Sequence, residues 1–320
     1  MKSILVTGAS GFIGSFIVSE GLEKGFEMWA GMRGTSSKGY LTDERIKFAQ
    51  LNLGNKQELK SQLTSYKEQM NGKWDYVVHA AGATKCLNIE DFYRTNTQGT
   101  INLIEALQET DMVPERFVFV SSLSVFGAIR ETPVKAKCQE YGKGEEIREE
   151  ESIYSPILLD DTPKPNTAYG MSKLRAEEYL QQVDPALFPY VILRPTGVYG
   201  PREKDYFVMA KSIAGHTDFA VGYQPQEITF IYVLDVVQAI FKSMDAPAAL
   251  GKAYFLSDGK IYNSRRFSDL LQQELGNPWV LRIKAPKWLL KGICKVGGTI
   301  GRMTDKLIVL NEDKYNILSQ

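Results

Sequence analysis

Ile4-Leu5-Val6-Thr7-Gly8-Ala9-Ser10-Gly11-Phe12-Ile13-Gly14-Ser15-Phe16-Ile17 decides the fold. The short apolar run at residues 4–6 reads as a strand. Apolar side chains then recur at helical spacing, at Ile13, Phe16, Ile17 and Leu22, until Gly25, which can close a helix in the left-handed conformation. Between strand and helix stand Gly8, Gly11 and Gly14, spaced Gly-x-x-Gly-x-x-Gly, one residue longer than the Gly-x-Gly-x-x-Gly pattern. Glycine allows a tight turn and a close backbone approach, and the helix that follows offers free N–H groups and the positive end of its dipole. The arrangement predicts a cradle for the pyrophosphate of a dinucleotide, formed by Gly8, Ser10, Gly11, Phe12, Ile13 and Gly14.

Outward from this turn, short apolar runs alternate with helix-patterned segments. Further strands are expected at 26–32, 46–51, 76–80, 116–120 and 190–193, with a seventh at 254–256; long helices are expected at 95–108 and 168–182. Such alternation predicts an α/β chain, a Rossmann-type doubly wound parallel sheet covered on both faces. After Pro195 the pattern mixes loops, short strands and helices. That material predicts a smaller C-terminal substrate domain over the carboxyl ends of the strands. The expected division is a dinucleotide-binding domain over 1–195, with 232–258 returning to it, and a substrate-binding part over 196–231 and 259–320. Residues 128–165, with the charge run 145–151, read as a solvated surface excursion. The apolar stretch from Pro286 to Ile293 reads as a helix packed on the small domain, too short to span a membrane.

The 38 basic residues balance the 38 acidic ones, so charge gives no reason to expect a nucleic acid or an anionic membrane as partner. Cys86, Cys138 and Cys294 lie far apart, and His79 and His216 are too scattered for a zinc site, so no metal is expected. His79 ends an apolar strand and reads as a packed, hydrogen-bonded structural residue. The chain enters a strand at once, leaving no room for a signal peptide, which makes a cytoplasmic protein the default expectation.

Cofactor choice is written after the second strand. An NAD site usually places an acid there for the adenosine ribose hydroxyls. No acid occurs between Glu27 and Asp43; Arg33 stands in its place, with Lys38 nearby. A guanidinium suits a 2′-phosphate, so NADP(H) is favoured, with NAD(H) the alternative.

Tyr169-Gly170-Met171-Ser172-Lys173 opens the helix at 168–182. Residues four apart share a helix face, so the phenol and the ammonium can point into one cleft. A lysine charge about 5 Å away at an effective dielectric of about 20 contributes about 3 kcal/mol, enough to bring a phenol into the range of general acid–base catalysis. Hydroxyls at Ser121, Ser122 and Ser124 follow the fifth strand, and Arg194-Pro195-Thr196-Gly197-Val198-Tyr199-Gly200-Pro201 follows the sixth.

With these motifs in this order, the chain resembles the extended short-chain dehydrogenase/reductase family, in its NAD-dependent epimerase/dehydratase-like group. In motif it is nearest the dihydroflavonol reductase and 3β-hydroxysteroid dehydrogenase-like branch. The resemblance covers nearly the whole chain and includes Ala80-Ala81-Gly82, Asn96-Thr97-Gln98-Gly99-Thr100 and Tyr232-Val233-Leu234-Asp235. It implies Tyr169 as catalytic acid/base and Lys173 as the group that binds the nicotinamide ribose and lowers the phenol's pKa. It implies Ser122 as the hydroxyl on the substrate oxygen, with Ser121 and Ser124 as rivals. Ala80, Ala81, Gly82 and Asn96 would lie near the cofactor, as would backbone groups of Pro195, Thr196 and Val198. Asn52 and Leu53 stand after the third strand, where relatives often carry an acid; the Asn52 oxygen could meet the adenine.

The departures from the family separate its activities. Leu123 and Ser124 replace the Asp-Glu pair of the sugar-nucleotide dehydratases. Gly197 replaces an Asn, and Ile228 an Arg, that sugar-nucleotide epimerases use on their substrate. The resemblance therefore implies net redox chemistry on a ketone, aldehyde or secondary alcohol. A nucleotide-sugar epimerase with retained NAD and a non-catalytic dinucleotide-binding protein are the alternatives. The expected partner is a small-molecule substrate. A homodimer through the helices at 95–108 and 168–182 is expected by analogy with the fold.

Overall fold

A computed structural model describes residues 1–70, 72–127, 155–221 and 227–285. The charge run 145–151 and the apolar stretch that starts at Pro286 lie outside them. The first quarter of the chain contributes β1 (Ser3–Thr7), α1 (Phe12–Glu23), β2 (Glu27–Met32), β3 (Lys47–Gln50), α2 (Lys56–Met70) and β4 (Tyr76–His79). Next come α3 (Ile89–Phe92), a π-helical segment (Tyr93–Gln98), α4 (Gly99–Glu109), β5 (Arg116–Val120), α5 (Ala168–Gln181) and β6 (Tyr190–Pro195). The remainder forms β7 (Gly197–Tyr199), α6 (Asp205–Ala214), β8 (Thr217–Val221), β9 (Glu227–Ile228), β10 (Phe230–Tyr232) and α7 (Val233–Asp245). It ends with β11 (Ala253–Leu256), β12 (Tyr262–Asn263), α8 (Ser264–Glu274) and β13 (Leu281–Ala285).

Seven strands form one sheet in the order β3-β2-β1-β4-β5-β6-β11, and every pairing in it is parallel. Side chains alternate between the faces, as strand geometry requires. Ile4, Val6, Val118 and Val120 face one layer, where they pack with Ile17 and Val18 of α1 and with Val236, Val237 and Ile240 of α7. Leu5, Val77, Phe117 and Phe119 face the other, against Leu59 and Leu63 of α2, Leu103 and Leu107 of α4, and Leu180 of α5. Both faces are therefore covered, which is why these strands read as continuous apolar runs.

The chain crosses over between β1 and β4, leaving a crevice at their carboxyl ends where open α/β sheets take ligands. Beyond Pro195 the structure builds three small two-stranded sheets, β7 with β10, β9 with β12, and β8 with β13. The chain returns to the main body through α7 and β11, and β11 pairs with β6. Strand limits differ from expectation by one or two residues. The helix expected at 95–108 is entered earlier, at Ile89, through a π turn. No described helix is long and apolar enough to cross a membrane.

Candidate active site

The glycine turn meets the demands its spacing sets. Gly8 has φ +70°, and a Cβ there would stand 2.6 Å from the Ala81 nitrogen; one on Gly14 would run into the Gly8 carbonyl. A side chain at Gly8 would push the turn off the segment after β4, and one at Gly14 would push the helix off the turn. The N-cap of α1, Gly11, has no side-chain cap, and the first turn carries no acid. The first N–H groups of an α-helix have no partner within it, so those of Phe12, Ile13 and Gly14 are free for an anion.

Ser121 Oγ and Thr196 Oγ1, beyond β5 and β6, are buried with no hydrogen-bond partner. Orphaned hydroxyls on neighbouring strand ends call for an outside group. The residues present thus fit a dinucleotide laid from α1 across the switch point to β6. Pro195 ends β6, Thr196 N donates to the Leu256 carbonyl at 3.0 Å, and Val198 lies in β7.

Arg33 follows β2 and is exposed. Glu27, at the other end of that strand, is held by Trp29 and Lys47, and Asp43 by Arg45. Neither acid serves the position beyond Met32. Lys38 lies 4.2 Å over the Phe48 ring. The Asn52 side chain is engaged locally: Nδ2 donates to Glu58 at 2.6 Å, and Oδ1 accepts from Gly54 N at 3.1 Å. The Leu53 carbonyl accepts from Asn102 at 2.7 Å.

Thr167 caps α5 by accepting from Gly170 N at 3.0 Å, which sets Tyr169 in the first turn. Burial raises the Tyr169 pKa, and a hydrogen bond with Ser122 partly offsets this. Ser122 also lies 3.1 Å from Ser124 Oγ. Of the three candidate serines, Ser122 is the one that acts on the Tyr169 pKa. Lys173 is buried, and its ammonium donates to the Val120 carbonyl at 2.9 Å. Desolvation lowers its pKa to about 8, against a smaller opposing effect of Glu177. Burial is the largest influence on the Tyr169 phenol.

Asn96 sits in the π-helical segment, which turns its side chain out of helical register. Its Oδ1 accepts from Ala83 N at 2.7 Å; its Nδ2 donates to the Ala83 carbonyl at 3.0 Å and to Ser172 Oγ at 2.9 Å. Ser172 in turn donates to the Tyr169 carbonyl at 2.7 Å. Asn96 therefore ties the loop after β4, where Ala80, Ala81 and Gly82 lie, to the helix that carries Tyr169. The backbone of Gly82 borders both side chains: a Cβ there would lie 3.1 Å from Lys173 Nζ and 3.2 Å from Asn96 Oδ1.

Two further features escape a reading of the sequence. Glu177 and Arg194 form a buried ion pair at 2.6 Å, with Arg194 also over the Phe126 ring. Arg202 leaves the loop after β7, donates to Ser15 Oγ at 2.9 Å, and lies between the Phe16 and Tyr40 rings at 4.3 and 4.4 Å. A Glu one helical turn beyond Lys173 was a signal for the first; nothing local signalled the second.

The chain is similar to known proteins over most of its length. The family model described as the NAD dependent epimerase/dehydratase family matches residues 4–263. The chain is 27% identical to UDP-glucose 4-epimerase of Vibrio cholerae, over 96% of this chain and 87% of that protein. It is 23% identical to sterol-4-alpha-carboxylate 3-dehydrogenase, decarboxylating, of Schizosaccharomyces pombe, over 91% of this chain and 80% of the other. Among solved structures, UDP-glucose 4-epimerase of Thermus thermophilus in complex with NAD superposes with a TM-score of 0.67 at 22% identity. That match covers 89% of this chain and 86% of the other.

Proposed function

This chain belongs to the NAD-dependent epimerase/dehydratase family of extended short-chain dehydrogenase/reductase enzymes, and we propose that it reduces a ketone or aldehyde, or oxidises a secondary alcohol, with NADP(H). The support for this reading is the placement of Tyr169 in the first turn of α5, with Lys173 buried one turn along and bonded to Val120 at the carboxyl end of β5. The nicotinamide, when bound, supplies the hydride to the carbonyl carbon or takes it from the alcohol. Ser122 holds the reacting oxygen, and Tyr169 gives that oxygen its proton in reduction and removes it in oxidation. Lys173 holds the nicotinamide ribose. Its ammonium, one helical turn from Tyr169, would also favour the phenolate. Ser121, Thr196 and the backbone from Pro195 to Val198 border the carboxamide. The turn from Gly8 to Gly14 takes the pyrophosphate, and Arg33 the 2′-phosphate. Residues 196–231 and 259–320 supply the substrate side, and the helices at 95–108 and 168–182 the contact of a homodimer.

The test is consumption of NADPH with a panel of carbonyl compounds, one equivalent per alcohol formed, lost in Tyr169→Phe. A second reading has its own support in the Vibrio cholerae epimerase, the same length of chain matched at 27% identity. In that reading the same three side chains oxidise and re-reduce one nucleotide sugar on a retained NAD. Interconversion of a UDP-sugar with no net change in cofactor absorbance would establish it instead.

A further inference from the structure

Gly197 lies two residues beyond the end of β6, and its neighbour across space is the Tyr206 phenol. A Cβ on residue 197 would stand 2.5 Å from Tyr206 Oη and 3.2 Å from Phe230 Cδ1. No side chain fits at 197 unless Tyr206 moves. Tyr206 cannot move freely, because its ring packs edge-on against Phe230 and Phe267, with ring centres 5.4 Å away in each case. Phe230 itself stacks on Phe267 at 4.5 Å and meets Tyr199 and Tyr262. An aromatic wall therefore stands beside the carboxyl end of β6, with the Tyr206 phenol oxygen against Gly197.

The helix end beside this wall is already taken by a carboxylate. Tyr206 is the second residue of α6, whose N-terminus is the natural anion site of the region. The chain's own carboxylate already occupies it: Glu203 accepts from Asp205 N at 2.6 Å and from Tyr206 N at 2.7 Å. Asp205 adds a second negative charge, paired with Lys85. Arg202 is turned away onto Ser15, Phe16 and Tyr40. Desolvation, with Glu203 and Asp205 nearby, pushes the Tyr206 phenol up to about 12, so it stays a neutral donor.

We propose that Tyr206 is a specificity-determining residue, which selects an uncharged, largely apolar ring substrate by donating to a neutral oxygen on it, and which excludes a nucleotide diphosphate from the space beside Gly197. This rests on the redox reading above. The ring would lie along Tyr199 and Phe230, where apolar burial supplies the affinity and a single hydrogen bond fixes orientation.

The experiment compares the parent enzyme with Tyr206→Phe on a panel of uncharged cyclic ketones, and titrates each protein with UDP by calorimetry. The expected result is reduction of at least one ketone by the parent and a rise in KM of about 3- to 10-fold in Tyr206→Phe, the loss of one neutral hydrogen bond. NADPH affinity and kcat should hardly change, which separates substrate selection from damage to the fold. UDP should bind neither protein. Ketone reduction with an unchanged KM in Tyr206→Phe overturns this inference and leaves the proposed function standing. Micromolar binding of UDP by the parent also overturns it. If no cyclic ketone is reduced while other carbonyl compounds consume NADPH, this inference falls and the proposed function stands; if no carbonyl compound is turned over, the two fall together.

Discussion

Lys173→Met should stabilise the protein while removing its activity. Lys173 is buried at 4% exposure, and desolvation holds its pKa at about 8 against an ordinary 10.5. At 1.36 kcal/mol per pH unit, keeping that ammonium charged in the folded state at neutral pH costs about 3 kcal/mol. Methionine fills nearly the same volume without charge. It gives up the hydrogen bond to the Val120 carbonyl, a loss of about 1 kcal/mol. The net gain at pH 7 is therefore about 2 kcal/mol. Between pH 8 and 10.5 the unfolded chain keeps a proton that the folded chain has released, so the stability of the parent rises with pH across this window. The advantage of the variant should be full below pH 8, shrink through the window, and vanish or reverse above it. Urea denaturation at a series of pH values reads both quantities. A variant less stable than the parent at pH 7, or an advantage that does not vary between pH 8 and 10.5, would refute the reasoning.

Three further outcomes follow from the same geometry. Tyr169→Phe should lower turnover by roughly 10²- to 10⁴-fold with cofactor affinity nearly unchanged; turnover within a few-fold of the parent returns the tyrosine to a packing role. Arg33→Ala should weaken NADP(H) by about 10- to 150-fold and leave NAD(H) nearly alone; calorimetry that finds equal losses for both cofactors removes Arg33 from the 2′-phosphate. Glu177→Gln leaves the buried Arg194 charge without its partner and should destabilise the fold by about 3–5 kcal/mol; a change under 1 kcal/mol in urea denaturation would falsify the burial argument.

Much of this architecture is legible in the sequence because its signals are local. β1, the Gly8–Gly14 turn and α1 are adjacent in the chain, and the buried strands announce themselves as apolar runs. The helix α2 went unread, because only Leu59 and Leu63 of its fifteen residues are buried, leaving an apolar stripe too narrow to stand out among Lys, Glu and Gln. The π turn at Tyr93–Gln98 leaves no trace in the periodicity, although it aims Asn96. The partner of Lys173 was hidden for a related reason. Sequence spacing places Lys173 on the right face, but the carbonyl that accepts from its ammonium comes from β5, more than fifty residues away. Departures at single positions were visible, such as Gly197 in place of Asn, yet their cause was not. Tyr206 fills that space from a different element.

The polar groups beneath the site form one connected network, and their protonation states follow from counting donors. Thr100 Oγ1 donates its single proton to the Asn96 carbonyl at 2.6 Å. It must therefore accept from His79 Nε2, 2.8 Å away, which places the ring proton there. His79 Nδ1 is then an acceptor, met by the Thr7 hydroxyl at 2.6 Å. The imidazole is neutral, in accord with a pKa lowered to about 3 by desolvation and by the Lys173 charge. Through this ring the strand that carries the glycine turn is joined to Asn96, and through Asn96 and Ser172 to the backbone of Tyr169. An unpaired polar group in such a place costs about 1–3 kcal/mol. Each of these is paired, so the network holds the two halves of the site in one register. The unpaired hydroxyls, Ser121 and Thr196, stand apart from it, beyond β5 and β6. The network is thus complete without a ligand, and at the carboxyl end of the sheet the unmet polar demand lies on Ser121 and Thr196, where the nicotinamide end of a dinucleotide would rest.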